Sequence, residues 1–321
     1  MQQLKVNKKF LFFILKLVSS ILLLWFVTTN FDLGPAVDQF EDIKFGYIFI
    51  AIFIFLVLLV NNTTRWVVVL RAVHADLPFK VAIKIMYISI FFNQILPSSI
   101  GGDASKIFLV RKSGVNINTA VNCVMLERAI ALLGLILLVV LTQPFLLTRV
   151  EDHLAKYLFP LLAGVALVGI IIMMLLDRLP EDWQRSRIVR GLVHLSSDTK
   201  KLFLTPQYAF TAIFLGISGN LFIAIIAYLT FCALLVEVSV LDCLVLIPPV
   251  MLITTLPISI AGWGVREGAM VGAFALVGIA EGDAFVVSLL FGMLTIVFAI
   301  PGGLLWLIGD YNRAEVRGEI K

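Results

Sequence analysis

The sequence predicts an all-α polytopic membrane protein, an inverted repeat with two re-entrant, broken-helix hairpins and about six full spans. Three observations predict it. Apolar residues make up 60% of the 321 and charged residues 14%, against roughly 45–50% and 25% in soluble domains, and the mean hydropathy is +1.04. Apolar stretches of about 20 residues, the length that crosses a bilayer, recur along the chain. Two of them are interrupted by the same Pro–Ser–Gly pattern half a chain apart. The composition excludes a water-soluble globule, and disorder, which needs low hydrophobicity and high charge. A net charge of +4 that is not gathered on one face is no nucleic-acid footprint and reads instead as side-of-membrane information.

Residues 10–27 form the first span and follow Lys5, Lys8 and Lys9, which places the N-terminus in the cytoplasm. The apolar core runs longer than that of a secretory signal and continues into Thr28, Thr29, Asn30 and Phe31, with no small-residue cleavage site. Asp32, Asp38, Glu41 and Asp42, opposed only by Lys44, suit an outer loop. Residues 46–72 then return inward to Arg71, His74 and Lys80.

Residues 81–114 break the simple count. A complete crossing ending at Leu96-Pro97 would leave Lys106, Arg111 and Lys112 outside, whereas a re-entrant hairpin broken at residues 97–102 keeps them inside. Backbone broken at membrane depth is tolerated only where protein or a wet cavity surrounds it, so the hairpin implies a cavity. Residues 117–141 cross outward and 157–176 cross back, and the basic loop holding Arg178, Arg185, Arg187, Arg190, Lys200 and Lys201 falls inside. Within that loop, residues 183–203 place apolar side chains at helical spacing among basic ones, which fits a helix on an anionic inner leaflet or a solvated loop helix. Residues 208–235 go out to Glu237 and Asp242, 244–278 repeat the broken pattern, and 283–308 end inside beside Arg313, Arg317 and Lys321. The chain divides into an N-terminal span and outer loop (1–45), a first membrane repeat (46–176), a cytoplasmic amphipathic linker (177–205) and a second repeat with a short cytoplasmic tail (206–321).

The repeat is visible directly. Leu96-Pro97-Ser98-Ser99-Ile100-Gly101-Gly102 matches Leu256-Pro257-Ile258-Ser259-Ile260-Ala261-Gly262 at five of seven positions, at an offset of 160. Tyr47, Phe49, Ala51, Ile52 and Phe53 recur as Tyr208, Phe210, Ala212, Ile213 and Phe214 at an offset of 161. If the first hairpin does not cross, the second copy is upside down, which puts Ser113 and Glu281 on opposite sides. Inverted repeats of this kind build many secondary transporters, whose discontinuous helices meet near the midplane with their N-termini toward anionic groups. Ser99, Gly102, Ser259 and Gly262 would supply the backbone N–H groups and caps.

A charge at the centre of a span costs roughly 2.5–3.5 kcal/mol, so an intramembrane charge is a functional candidate by default. Asp103, Glu127, Arg128, Arg266 and Glu267 are such charges. Neighbours one residue apart on a helix diverge by about 100° and do not face one another, so neither Glu127/Arg128 nor Arg266/Glu267 is expected to neutralise itself. Arg266 or Arg128 would attract a phosphate, with Asp103, Glu127 or Glu267 balancing the empty site. The alternative is a set of interhelical salt bridges that hold the bundle together. Arg65, well inside its span, is a secondary candidate that would otherwise snorkel, as Lys84 does near the inner surface.

The longest polar segment, about 29 residues between Asp177 and Thr205, is too short for a catalytic or nucleotide-binding domain, and the pattern G-x-x-x-x-G-K-[ST] is absent. His74, His153 and His194 fall on different sides, and Cys123, Cys232 and Cys243 lie in or beside apolar runs without metal-ligand spacing. No cofactor, no metal and no enzymatic activity are expected.

Phe92-Asn93-Gln94-Ile95-Leu96-Pro97 leading to Gly101-Gly102-Asp103, with Arg111 and then Glu127-Arg128, resembles the first half of the flippase-like transmembrane domain of the lysylphosphatidylglycerol synthetases. Leu256-Pro257 followed by Gly262-Trp263-Gly264-Val265-Arg266-Glu267 resembles the second half. The resemblance implies movement of a phospholipid to the outer leaflet and points to Asp103, Glu127, Arg128, Arg266 and Glu267, with Arg111 secondary. The aminoacyl-transferase domain has no counterpart here, so a stand-alone transporter is expected, moving an anionic or zwitterionic phospholipid or lipid-linked head group between leaflets of a bacterial or archaeal cytoplasmic membrane. Its partners would be membrane lipids, a lipid-biosynthetic enzyme and further copies of itself, and no nucleic acid. The alternatives are an integral-membrane enzyme or accessory subunit of a glycolipid or polyprenyl-phosphate pathway, and an ion-coupled carrier of a small anion.

Overall fold

A computed structural model describes residues 42–95, 100–147, 153–178, 187–255 and 262–308. Among these residues it is all helical: α1 (Phe45–Ala72), α2 (Phe79–Ile95), α3 (Ile100–Lys112), α4 (Ile117–Leu147), α5 (His153–Leu175), a 3₁₀ turn (Leu176–Arg178), α6 (Arg187–Leu204), α7 (Pro206–Ala233), α8 (Val240–Thr254), α9 (Val265–Ala275) and α10 (Glu281–Ile308). Four helices, α1, α4, α7 and α10, are long and apolar enough to cross a membrane. Of the six spans expected, residues 10–27 lie outside the described residues, and α5 contributes a shorter apolar stretch, Ala163–Leu175.

The two halves start and stop alike. α1 and α7 are both 28 residues long, and their bounds differ by 161 throughout. Each ends on a non-glycine residue with left-handed backbone, His74 and Leu235, both at φ 59°. Each end is closed by the same bond five residues back, from the Ala75 N–H to the Leu70 carbonyl (2.9 Å) and from the Val236 N–H to the Phe231 carbonyl (3.1 Å). That is the Schellman closure, which satisfies carbonyls the helix leaves unpaired. α3 and α9 finish on Gly114 (φ 97°) and Gly278 (φ 81°), where the left-handed turn suits a residue without Cβ.

The halves are inverted and interlocked. α1 and α7 run antiparallel: the Lys44 N–H donates to the Ala233 carbonyl (2.9 Å) at one end, and Asn61 Nδ2 donates to the Leu215 carbonyl (2.9 Å) well along the pair. α2 and α3 form an antiparallel hairpin tied by the Gly102 N–H to Asn93 Oδ1 and by Ser105 Oγ to Ser89 Oγ, both 3.0 Å. α8 and α9 pack on each other, while α10 lies against α2 and α4 against α8, so each half closes on the other. Gly302 and Gly303 let α10 approach Tyr87 and Phe91, and Phe298 stacks on Phe55 (5.1 Å) and Tyr87 (5.2 Å). Phe49 and Phe53 on α1, and their repeat partners Phe210 and Phe214 on α7, are exposed at 59–75% and form part of the apolar outer surface that a bilayer would cover.

α6 corrects one expectation. Its apolar side does not face outward: Leu195 and Leu202 are buried, and Asp198 accepts from Asn122 Nδ2 of α4 (2.8 Å). The amphipathic pattern is satisfied by the end of the bundle itself.

Candidate functional site

The intramembrane charges gather into two clusters. In the first, Arg65 of α1, Lys106 of α3 and Glu127 of α4 meet, each between 5% and 6% exposed. Glu127 Oε1 accepts from Arg65 Nη2 at 2.5 Å and Oε2 from Lys106 Nζ at 3.1 Å, so each carboxylate oxygen answers one cation. Lys106 Nζ also lies 5.5 Å from the centre of the Trp66 ring. Asp103 and Lys106, three residues apart, share a face of α3, and Asp103 pairs with Arg128. Arg128 is exposed and Asp103 half-buried, so this pair forms the lip of the buried triad.

Glu127 and Arg128 thus point to partners on other helices, as their divergence implies. Lys106, expected among the cytoplasmic cations, is instead buried. Neutralising only one of two cations leaves the triad with a surplus positive charge, and a buried charge that is not fully compensated costs several kcal/mol.

The second cluster behaves differently. Arg266 and Glu267, expected not to face each other, are directly paired: Glu267 Oε1 accepts from Arg266 Nη2 at 2.6 Å and Nε at 3.1 Å. The physical reason is their place in the first turn of α9. Glu267 turns back so that Oε2 accepts the Gly264 N–H at 2.5 Å, a capping contact, and the guanidinium follows it. Ser288 Oγ of α10 adds a bond to Glu267 Oε1 at 3.2 Å. Arg266 lies over Trp263 (4.8 Å) and Phe291 (5.7 Å), and fills space that Gly292 leaves open.

The other expected site residues scatter. The Gly102 N–H, expected to face a ligand, is taken by Asn93, and a Cβ at Gly102 would collide with Asn93 and the Ser89 carbonyl; its glycine lets the hairpin close. Gly262 sits in the turn before α9 at φ 83°. Arg111 is exposed in the last turn of α3 and joins neither cluster's hydrogen-bond core. Ser99 and Ser259 lie outside the described residues. Sequence reasoning missed Lys106, Trp66 and Ser288. The three-residue spacing from Asp103 could have signalled Lys106; Trp66 and Ser288 carry no charge for the bilayer argument to catch.

A chain whose described residues are all helical, with four clear apolar spans among them and two buried charge clusters, is a multi-pass membrane protein. The family model described as the lysylphosphatidylglycerol synthase TM region matches residues 13–303, and the chain belongs to that family. No curated protein and no solved structure matches it.

Proposed function

We propose that the protein is a flippase-like lipid transporter that moves an anionic or zwitterionic phospholipid, or a lipid-linked head group, between leaflets without chemical change. The observation that carries this reading is the pair of charge clusters, each built on the second limb of a hairpin and each in an opposite half of an inverted, interlocked bundle. α3 and α9 rise only about 20 Å and 17 Å, short of a hydrocarbon core of about 30 Å, which supports hairpins that enter and return. A lipid transporter needs polar groups at depth for the head group and apolar outer surface for the tails. Membership of a membrane-domain family named for a lipid synthase supports lipid cargo over a soluble anion. The protein would sit in the cytoplasmic membrane with both termini inside.

Reconstitution in liposomes with head-group-labelled phospholipids tests the reading. Leaflet exchange faster than in protein-free vesicles is expected, and Asp103→Asn with Arg128→Gln, which empties the lip, is expected to slow it at least tenfold. Exchange at the protein-free rate for anionic, zwitterionic and lipid-linked substrates alike would reject it.

A further inference from the structure

The first cluster is not a closed salt bridge. Arg65 and Lys106 bring two positive charges to one carboxylate, and the neighbouring Asp103–Arg128 pair adds none. Among the described residues, two buried donors beside it, Arg65 Nε and Trp66 Nε1, have no hydrogen-bond acceptor. They belong to consecutive residues of α1, and Trp66 is fully buried with the Lys106 ammonium against its ring. Gly219 of α7 faces the same guanidinium: a Cβ there would stand 3.1 Å from Asn61 Nδ2, 3.3 Å from Asn62 Oδ1 and 3.5 Å from Arg65 Nη1, so glycine lets α7 come close to the cluster. Buried donors are nearly always paired, and a site with surplus positive charge and unused N–H groups is built for an acceptor with negative charge. The second cluster offers no such excess. Arg266 and Glu267 cancel, and Glu267 is further occupied by Ser288 and the Gly264 N–H.

We propose that Arg65, Trp66 and Lys106 form a buried oxyanion subsite that takes the phosphate of a ligand, with Glu127 as its internal counter-charge. The subsite deepens the transport reading and rests on it for the source of the phosphate, a lipid head group. It also makes the two halves unequal: one binds, and the other, already neutral, anchors its hairpin.

The test uses the full chain purified in detergent. Trp66→Phe keeps the buried aromatic and removes the orphan donor; Lys106→Met keeps the stem and removes the surplus charge. Thermal stabilisation is measured with short-chain phosphatidylglycerol, with a diacylglycerol of the same tails, and with inorganic phosphate. The expected result is stabilisation by phosphatidylglycerol and none by diacylglycerol, with each variant raising the half-saturating concentration at least tenfold. Ligand-free Lys106→Met is expected to unfold no lower than the parent protein, so that lost binding is not lost folding. Equal stabilisation by diacylglycerol, or parental half-saturation in both variants, overturns the subsite even if the protein moves lipid in vesicles. Stabilisation by inorganic phosphate that both variants abolish, together with no leaflet exchange, sustains the subsite for a free oxyanion and overturns the lipid reading.

Discussion

Glu127 answers two cations from two other helices, and its removal exposes what the triad depends on. Glu127→Gln would leave Arg65 and Lys106 facing each other in a buried site without a counter-charge. Breaking a buried ion pair on one side costs about 3–5 kcal/mol, so the variant should unfold at clearly lower temperature in detergent, whereas Lys106→Met should not. A Glu127→Gln protein as stable as the parent would mean that water or a bound anion already screens the triad. At this scale the sequence was legible where the bilayer cost speaks: Asp103, Glu127, Arg128, Arg266 and Glu267 all take part in buried or half-buried ion pairs. Angular divergence separated Glu127 from Arg128 correctly. It failed for Arg266 and Glu267 because a rule for mid-helix side chains does not hold in a first turn, where a carboxylate bends back onto a free N–H and a long guanidinium can reach it.

The helices are held together where side chains vanish. A Cβ on Gly134 of α4 would lie 2.5 Å from the Gly216 backbone of α7, so the two backbones touch there, as small residues allow in membrane bundles where hydrophobicity alone does not pull helices together. Gly134→Ala should therefore cost about 1–3 kcal/mol by forcing α4 from α7. Gly164 of α5 has nothing within 4 Å of its would-be Cβ, and Gly164→Ala should be neutral or stabilising through helix propensity. Thermal melts of the two variants side by side check this, and equal losses would refute the contact. Element boundaries were partly legible because punctuation is local: α2 ends at Ile95 and α8 at Thr254, just before Pro97 and Pro257, although α3 already begins at Ile100, inside the break expected over residues 97–102. The placement of α6 was not legible, since an amphipathic pattern states that one face is apolar without saying whether lipid or protein covers it.

Across the whole molecule the two halves keep one backbone plan and divide its chemistry. Asp103 and Glu267 both lie in the first turn, of α3 and α9, and Arg128 and Gly292 are each the twelfth residue of the long helix that follows, α4 and α10. In the first half the arginine comes from the long helix to meet the acid. In the second the long helix carries glycine, and the arginine beside the acid, Arg266, moves into that space. Such a relation marks the halves as copies of one plan, the antiparallel α1 and α7 make the copies inverted, and inversion fixes which loops face which side. Ser113, which the sequence reading puts on the side opposite Glu281, is buried and donates to the Leu109 carbonyl, so a label there would not report. Asn118 and Glu281, both exposed at the starts of α4 and α10, are the better pair. In a background with Cys123, Cys232 and Cys243 replaced, single cysteines at these positions should react with a membrane-impermeant maleimide from opposite faces of sealed vesicles. Antiparallel α1 and α7 demand it: α1 ends on the side where α4 begins after an intervening hairpin, and α7 ends on the side where α10 begins. Labelling of both from one face would require one hairpin to traverse the bilayer, and would remove the opposed entry on which the proposed transport rests.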